Sequence, residues 1–312
     1  MTLTQLSYIV AVDKYRHFAT AAEKIFVTQP TLSMQIHKLE EQLGVKLFDR
    51  SRSPVVPTDI GRTIIDEAIT ILKQAKKIED LAHHADGTLG GSVHIGIIPT
   101  ITPYLVPLVL QPFMKAHPDV ELIFEEMLTS QVLEGLHQDT LDIGIIATPT
   151  DQKSIHEEIL FDEPFVGYLS RDHALSKKKF LDQEDLDGEG IWLLNEGHCL
   201  RDQTLKLCKE ERRNRHREHP FRFESGNLET LKRLVEQNYG MTLMPALAVR
   251  DYNRNCSSAT IREFRKPVPS RRIRLAYSRE YLKDSLVPAW KEIIQTHLPD
   301  DIVRAEERLV LE

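Results

Sequence analysis

The chain has 312 residues, 41% hydrophobic and 28% charged, with a formal net charge of −7, the profile of a soluble globular protein long enough for two or three domains. No apolar run approaches the length of a membrane span, and Met1-Thr2-Leu3-Thr4-Gln5 is not a basic region leading into an apolar core, so a cytoplasmic location with no membrane partner is expected. Residues 1–86 hold 11 Lys and Arg against 11 Asp and Glu, which places the whole acidic excess in the remainder and weakly favours a DNA-binding head on an acidic body.

The head reads as helices in quick succession. Leu3, Leu6, Ile9 and Val10 have helical spacing, and a short second helix covers Ala19 to Ile25. A third helix opens with Thr28 as N-cap and Pro30 in its first turn, runs through Ile36, Leu39 and Leu43, and stops at Gly44. Val45 to Phe48 is expected as a strand, Arg50-Ser51-Arg52-Ser53-Pro54 as a basic turn, and Val55-Val56 as the return. That is a helix-turn-helix followed by a β-wing. The N-terminal turns of such a third helix face base edges in the major groove. Gln29, Pro30, Thr31, Ser33, Met34 and Gln35 stand there. Gln bonds adenine in two places, and Thr or Met contacts a thymine methyl. His37, Lys38, Arg50 and Arg52 are expected at phosphates, which position the protein without reading sequence.

Thr58 to Ala85 reads as one long helix. Its apolar residues Ile60, Ile64, Ala68, Ile71, Ala75, Ile78 and Ala82 are spaced 4, 4, 3, 4, 3 and 4 apart, close to a heptad seam that suits a paired helix. Gly87 to Ser92 reads as a hinge. From Val93 onward strands alternate with helices: strands at Val93–Ile98, Val120–Phe124, Leu141–Ile146, a run of strands over Glu158–Ser170, then Ile191–Leu194, Met241–Met244 and Arg271–Tyr277. Helices are expected over Leu228–Gln237 and Leu286–His297. Such alternation implies an α/β fold with covered sheets, and its length suits two lobes. The expected domains are therefore 1–57, 58–86, a hinge at 87–92, and 93–312.

Cys199 and Cys208 carry the chemistry. A cation beside a thiol favours the reactive thiolate, and Cys199 sits between His198 and Arg201. Oxidised to a sulfenic acid, it has Cys208 nearby to condense with. The intervening residues suit a helix, and nine helical residues rise roughly 13–14 Å, whereas a disulfide needs Cα atoms within about 7 Å. The pair is then a switch that needs refolding, not a staple. On spacing alone, two inert buried thiols fit better. A zinc site, which wants closely paired ligands, does not fit, and no cofactor is expected.

The run Phe18-Ala19-Thr20-Ala21-Ala22-Glu23-Lys24, Thr28-Gln29-Pro30-Thr31-Leu32-Ser33-Met34-Gln35-Ile36-His37-Lys38-Leu39-Glu40 and Leu43-Gly44-Val45-Lys46-Leu47-Phe48-Asp49-Arg50 closely resembles the LysR-type transcriptional regulators. The resemblance spans the full chain. It implies a winged helix-turn-helix, a dimerising linker helix, and a two-lobed effector domain of the periplasmic-binding-protein (type 2) kind. Pro57 and Ile60 depart from the usual leucine and alanine.

Leu193-Leu194-Asn195-Glu196-Gly197-His198-Cys199-Leu200-Arg201-Asp202-Gln203, Leu228-Glu229-Thr230-Leu231 and Thr242 to Val249 are similar to the peroxide-sensing branch of that family. This implies Cys199 as peroxidatic cysteine and Cys208 as resolving partner. It also implies a peroxide site supported by Thr100, Thr129, His198, Asp202 and either Arg271 or Arg272. Thr100 and Thr129 stand past carboxyl ends of strands, where open α/β sheets bind ligands; each is also placed to cap the following helix.

The implied partners are operator DNA, hydrogen peroxide, further copies of the chain in a homodimer or homotetramer, RNA polymerase and a cellular thiol reductant. The charged run 209–219 reads as a solvated loop, and Cys256 as incidental. Two other readings stand beside this one: a metabolic regulator that binds a small anion in the lobe cleft, and a thiol peroxidase, which has little use for a DNA-reading head.

Overall fold

Capping sets the head's helices. Thr2 Oγ1 accepts the Gln5 backbone N–H at 3.2 Å, and Gln5 Oε1 accepts that of Thr2 at 3.0 Å, a reciprocal box that starts α1 (Leu3–Tyr15). After α2 (Phe18–Lys24), Thr28 caps α3 (Gln29–Leu43), and Gly44 ends it in the left-handed conformation at φ 69°. The computed structural model describes residues 1–84, 89–187, 191–208, 225–250, 258–279, 282, 285–303 and 307–312. They fall into two units, Met1–Thr88 and Leu89–Glu312.

In the first unit Ile9, Val12, Leu32, Ile36, Leu39 and Leu47 are buried together. Val12, not Leu3, completes the inward face of α1, and Leu3 lies exposed. The wing is shorter and later than expected: β1 (Phe48–Asp49) pairs antiparallel with β2 (Val56–Pro57). The Thr58 hydroxyl donates to the Lys46 carbonyl and accepts the Gly61 N–H, which fixes the start of α4 (Asp59–His84). Ile65 and Ala68 of α4 enter the head core, while Ile60, Ile71 and Ile78 stay 48%, 40% and 70% exposed.

The second unit has two lobes, each with its own core. The first lobe holds β3 (Gly91–Ile97), α5 (Thr102–Ala116), β4 (Val120–Glu126), α6 (Thr129–His137) and β5 (Ile143–Ile146). β3 runs parallel to β4 and β5. Gly91 and Ser92, expected in the hinge, are already paired with Val120 and Glu121. The expected run of strands over 158–170 is one strand, β6 (His156–Ser170).

Then come β7 (Phe180–Leu181), β8 (Ile191–Trp192), α7 (Cys199–Leu207), α8 (Leu228–Glu236), β9 (Met241–Pro245), β10 (Ala259–Phe264), β11 (Val268–Tyr277), α9 (Leu286–His297), α10 (Asp300–Val303) and β12 (Arg308–Leu311). β6 pairs antiparallel with β11 from His156 to Pro164 and with β9 from Phe165 to Leu169. One strand thus carries the chain from the first lobe's sheet into the second's. Phe113 stacks on Trp290 at 4.2 Å in the first core, while Tyr168, Leu231 and Met241 lie in the second. The molecule is a winged helix-turn-helix head, a long helix and a two-lobed α/β effector unit. No described helix is long and apolar enough to cross a membrane.

Candidate functional site

Cys199 is the first residue of α7, and a tight turn delivers it there. Gly197 takes φ 92°, a conformation that suits glycine. His198 follows in extended backbone as the residue before the helix. The thiol is 8% exposed and packs with the first lobe's core, whereas Leu200 and Leu207 of the same helix pack with the second's. Cys199 therefore lies on the seam between the lobes.

Burial pushes the Cys199 thiol above its ordinary range. Arg271 opposes that most, followed by the backbone N–H groups of Leu200 and Cys199, then the Thr129 hydroxyl. This corrects two expectations. The thiol rests protonated, because desolvation outweighs the favourable partners. The cation beside it is Arg271, not a sequence neighbour: Arg201 donates to the Leu194 carbonyl at 3.0 Å. Burial holds His198 below its usual value against the pull of Glu126, so it is neutral at pH 7. His198 is also buried and not at the surface.

The sheet register separates the two candidate arginines. Arg271 sits opposite Glu163, and Arg272 opposite Asp162; successive strand residues face opposite sides. The Arg271 and Glu163 side chains are 0% exposed. Glu163 Oε2 accepts Arg271 Nε at 2.9 Å and Nη2 at 2.8 Å. Arg271 Nη1 donates to Thr100 Oγ1 at 2.7 Å, and Nη2 to the Thr100 carbonyl at 3.0 Å. Arg272 instead pairs with Asp162 at 2.8 Å, partly in solvent.

The two threonines differ. Thr100 is buried with its hydroxyl oxygen taken by Arg271, which leaves its proton to donate elsewhere. The capping role expected for it falls away, since Ile101 is the residue before α5. Thr129 is the first residue of α6 and does not cap it either: the Gln131 side chain accepts the Leu128 N–H at 2.9 Å. Its Oγ1 is buried beside the Cys199 sulfur, in a geometry short of a full hydrogen bond. Asp202 is exposed on the first turn of α7, where an acidic group suits the helix N-terminus but does not enter the thiol pocket.

Two residues of this centre were not read from the sequence. Glu163 is one; its signal is weak, one of two adjacent carboxylates, Asp162 and Glu163, in the run Leu160 to Val166. Gln203 is the other. It lies four residues beyond Cys199 and so on the same face of α7. Its Nε2 donates to the carbonyls of Ala147 at 2.9 Å and Leu311 at 3.2 Å, and its Oε1 is buried without a partner among the described residues.

Cys208 ends α7, half-buried, with its sulfur 3.5 Å from the Thr204 carbonyl. The two cysteines are not joined in a disulfide. The segment between them is helical, as expected, which sets the cysteines roughly 13–14 Å apart along the axis. Residues 209–219 and Cys256 lie outside the described residues.

The head presents a second candidate surface. Gln29, Pro30, Met34, His37 and Lys38 of α3 are exposed, and Thr31, Ser33 and Gln35 half-exposed. Pro30, Ser33, Met34, His37, Lys46 and Arg50 line an open groove. Some of these groups have internal partners. Arg50 donates to Ser33 Oγ at 3.1 Å and to buried Glu40 at 3.4 Å, over the Phe18 ring. Arg52 pairs with Asp49 at 3.1 Å, and Gln5 donates to Gln35 at 3.3 Å.

Comparison with known proteins matches both units. Residues 3–62 match the bacterial regulatory helix-turn-helix protein, lysR family, and residues 86–299 match the LysR substrate binding domain. The chain is 37% identical over 277 residues to the DNA-binding transcriptional dual regulator OxyR of Escherichia coli K12, covering 89% of each. It is 36% identical to a hydrogen peroxide-inducible genes activator of Haemophilus influenzae, covering 89% of this chain and 90% of that one. A full-length OxyR variant from Pseudomonas aeruginosa superposes with TM-score 0.77 at 34% identity, covering 97% of this chain and all of that one. A hydrogen-peroxide-bound cysteine mutant of Corynebacterium glutamicum OxyR gives 0.62 at 29% identity, with 99% and 98% covered.

Proposed function

The chain belongs to the LysR family of bacterial transcriptional regulators, with OxyR proteins among its relatives, and from that premise we propose that it is a peroxide-responsive regulator switched by oxidation of Cys199. One observation carries this reading. A buried thiol, an arginine-held Thr100 hydroxyl and an uncommitted Thr129 hydroxyl converge on one seam between lobes. Hydroxyls donate to and accept from a peroxide, and the pocket's cation is already neutralised by Glu163. That neutralisation argues against the rival reading of a site for a small anion.

The chemistry runs in two steps. The Cys199 thiol loses its proton, and the thiolate attacks one peroxide oxygen. The O–O bond breaks, the second oxygen leaves as hydroxide and takes up a proton as water, and Cys199 becomes a sulfenic acid. The Cys208 thiol then attacks that sulfur, expels water and forms the disulfide. A cellular thiol reductant returns both cysteines to thiols. Because the cysteines start at opposite ends of α7, the second step requires that helix to unwind.

Output is at the head. Gln29, Thr31, Ser33, Met34 and Gln35 read base edges, Pro30 shapes the turn they start from, and Lys38, Arg50 and Arg52 meet phosphates. The exposed Ile60, Ile71 and Ile78 of α4 pair two chains, and paired dimers present four heads to operator DNA and to RNA polymerase. The product is a changed promoter complex, not a turnover cycle.

Cys199→Ser tests the reading. It is expected to fold and bind operator DNA like the parent while losing all transcriptional response to peroxide in a reconstituted assay. An undiminished response from the serine variant overturns it.

A further inference from the structure

The Cys199 pocket contains a buried charge that the switch chemistry leaves without a task. Glu163 is fully buried on β6, at the point where that strand passes from one lobe's sheet to the other's. Oε2 holds Nε and Nη2 of Arg271. Oε1 accepts the Leu247 backbone N–H at 2.9 Å, just past β9 of the second lobe. With two guanidinium donors on Glu163, Nη1 is aimed at the Thr100 hydroxyl and Nη2 also reaches the Thr100 carbonyl.

We infer that Glu163 is a positioning residue for peroxide reduction at Cys199, one that fixes both the direction and the effective charge of Arg271. It acts in two ways. By anchoring the guanidinium it forces the Thr100 oxygen to accept from Arg271, so the Thr100 proton points to the guest in the pocket. By standing against Arg271 it tempers the cation felt at the sulfur and keeps the thiol protonated at rest. A sensor gains from that second effect, because a protonated thiol reacts poorly with adventitious electrophiles, while a peroxide that Thr100 and Thr129 hold in place still meets its nucleophile. The inference rests on the reading of Cys199 as the reacting thiol.

Other ionisable groups around the pocket do not duplicate this. His198 is neutral, and Glu126 acts on His198. Tyr104 is held protonated by burial and its bond to Glu229. Asp202 is in solvent. Arg271 is the only side-chain charge among the leading influences on the Cys199 thiol, so a change in Arg271's counter-charge reaches the sulfur directly.

The test is Glu163→Gln in the full chain, with two readouts on the Cys199 peptide by mass spectrometry: the pH profile of iodoacetamide alkylation and the second-order rate of oxidation by hydrogen peroxide. The expected result is an alkylation profile displaced to lower pH by about one unit, equivalent to about tenfold faster alkylation at pH 7. The ratio of peroxide to alkylation rates is expected to fall. Glu163→Asp keeps the charge and is expected to keep the alkylation profile. A Gln variant with both readouts unchanged overturns the inference.

If Glu163→Gln does not fold, Arg271→Gln is compared with the Glu163→Gln/Arg271→Gln double variant. A residue acting through Arg271 predicts matching peroxide-to-alkylation ratios in these two, and different ratios overturn it. Alkylation reads the thiol whatever its natural oxidant is. A parent chain inert to peroxide therefore removes the functional reading, while a displaced alkylation profile still reports on Glu163.

Discussion

The two threonines of the pocket make a sharp comparison at the residue scale. Thr100 completes a buried cation's hydrogen bonds, whereas Thr129 has a buried hydroxyl with no full hydrogen bond among the described residues. Thr129→Val is expected to leave the thermal stability within about 1 kcal/mol of the parent while slowing peroxide oxidation of Cys199 by about tenfold or more. Its alkylation rate is expected to fall much less, since the Thr129 hydroxyl comes last among the groups that favour the thiolate. Thr100→Val leaves Arg271 Nη1 unpaired in the interior, and is expected to cost about 1–3 kcal/mol in denaturant unfolding. Equal stability losses in both variants contradict these assignments.

The thiol makes a prediction of its own. Its ionisation is displaced upward by burial, so the thiolate fraction at neutral pH is small and grows as pH rises. Peptide-resolved alkylation of Cys199 is expected to climb about tenfold per pH unit through neutrality and to level off only above the ordinary cysteine range. A plateau already reached near pH 6 means that Arg271 dominates burial. Little of this balance was legible in the sequence. Cys199 and Cys208 stood out by context, but the strand register that turns Arg271 inward and Arg272 outward is a three-dimensional pairing. Glu163 lies 108 positions from its partner, beyond any local pattern.

At the scale of elements, α7 is held as a helix from outside. Gln203 bonds carbonyls of Ala147 and Leu311, Lys206 bonds the Glu312 carbonyl, and Leu200 and Leu207 are buried in the second lobe's core. β12 thus braces the segment that the proposed disulfide requires to unwind. Gln203→Met, which keeps the bulk and removes the donors, is expected to raise the yield of Cys199–Cys208 disulfide over sulfinic and sulfonic acids at a fixed peroxide dose. Intact-mass and peptide analysis reads that ratio, and a lower disulfide share means that the brace does not oppose the switch.

Elements with local signatures were legible. α3 is bounded as expected because Thr28 and Gly44 are caps; the apolar period marks α4 as helical, and Ala85, the end expected for it, lies outside the described residues. The run of strands expected over 158–170 is one strand, although Pro164 lacks an N–H for a ladder. It survives because Pro164 sits where β6 changes partner from β11 to β9. β12 was missed because its four residues gain their order from pairing with β11.

For the whole molecule, the head explains how Arg50 differs from a simple phosphate contact. Its guanidinium links Ser33 of α3, the buried Glu40 and the Phe18 ring, so it ties the wing to the recognition helix. Arg50→Ala is expected to weaken binding to all DNA sequences alike, to flatten the salt dependence by about one counterion, and to lower the head's melting temperature. Gln29→Ala is expected to relax sequence preference with little change in stability. An Arg50 variant with altered preference and unchanged melting reverses the two roles.

The central claim is that oxidation at Cys199 is converted, through unwinding of α7 and repacking of the lobes it joins, into a changed DNA complex. Packed interfaces tend to have two discrete arrangements, so a remodelled α7 is expected to re-space the heads more than to change their affinity. The most direct measurement is a paired footprint on one operator, reduced against peroxide-treated protein, with the redox state of the same sample fixed by peptide mass spectrometry. The expected result is a Cys199–Cys208 disulfide together with a shift in the protected half-sites, both absent in Cys199→Ser. Identical protection by reduced and fully disulfide-bonded protein contradicts the account.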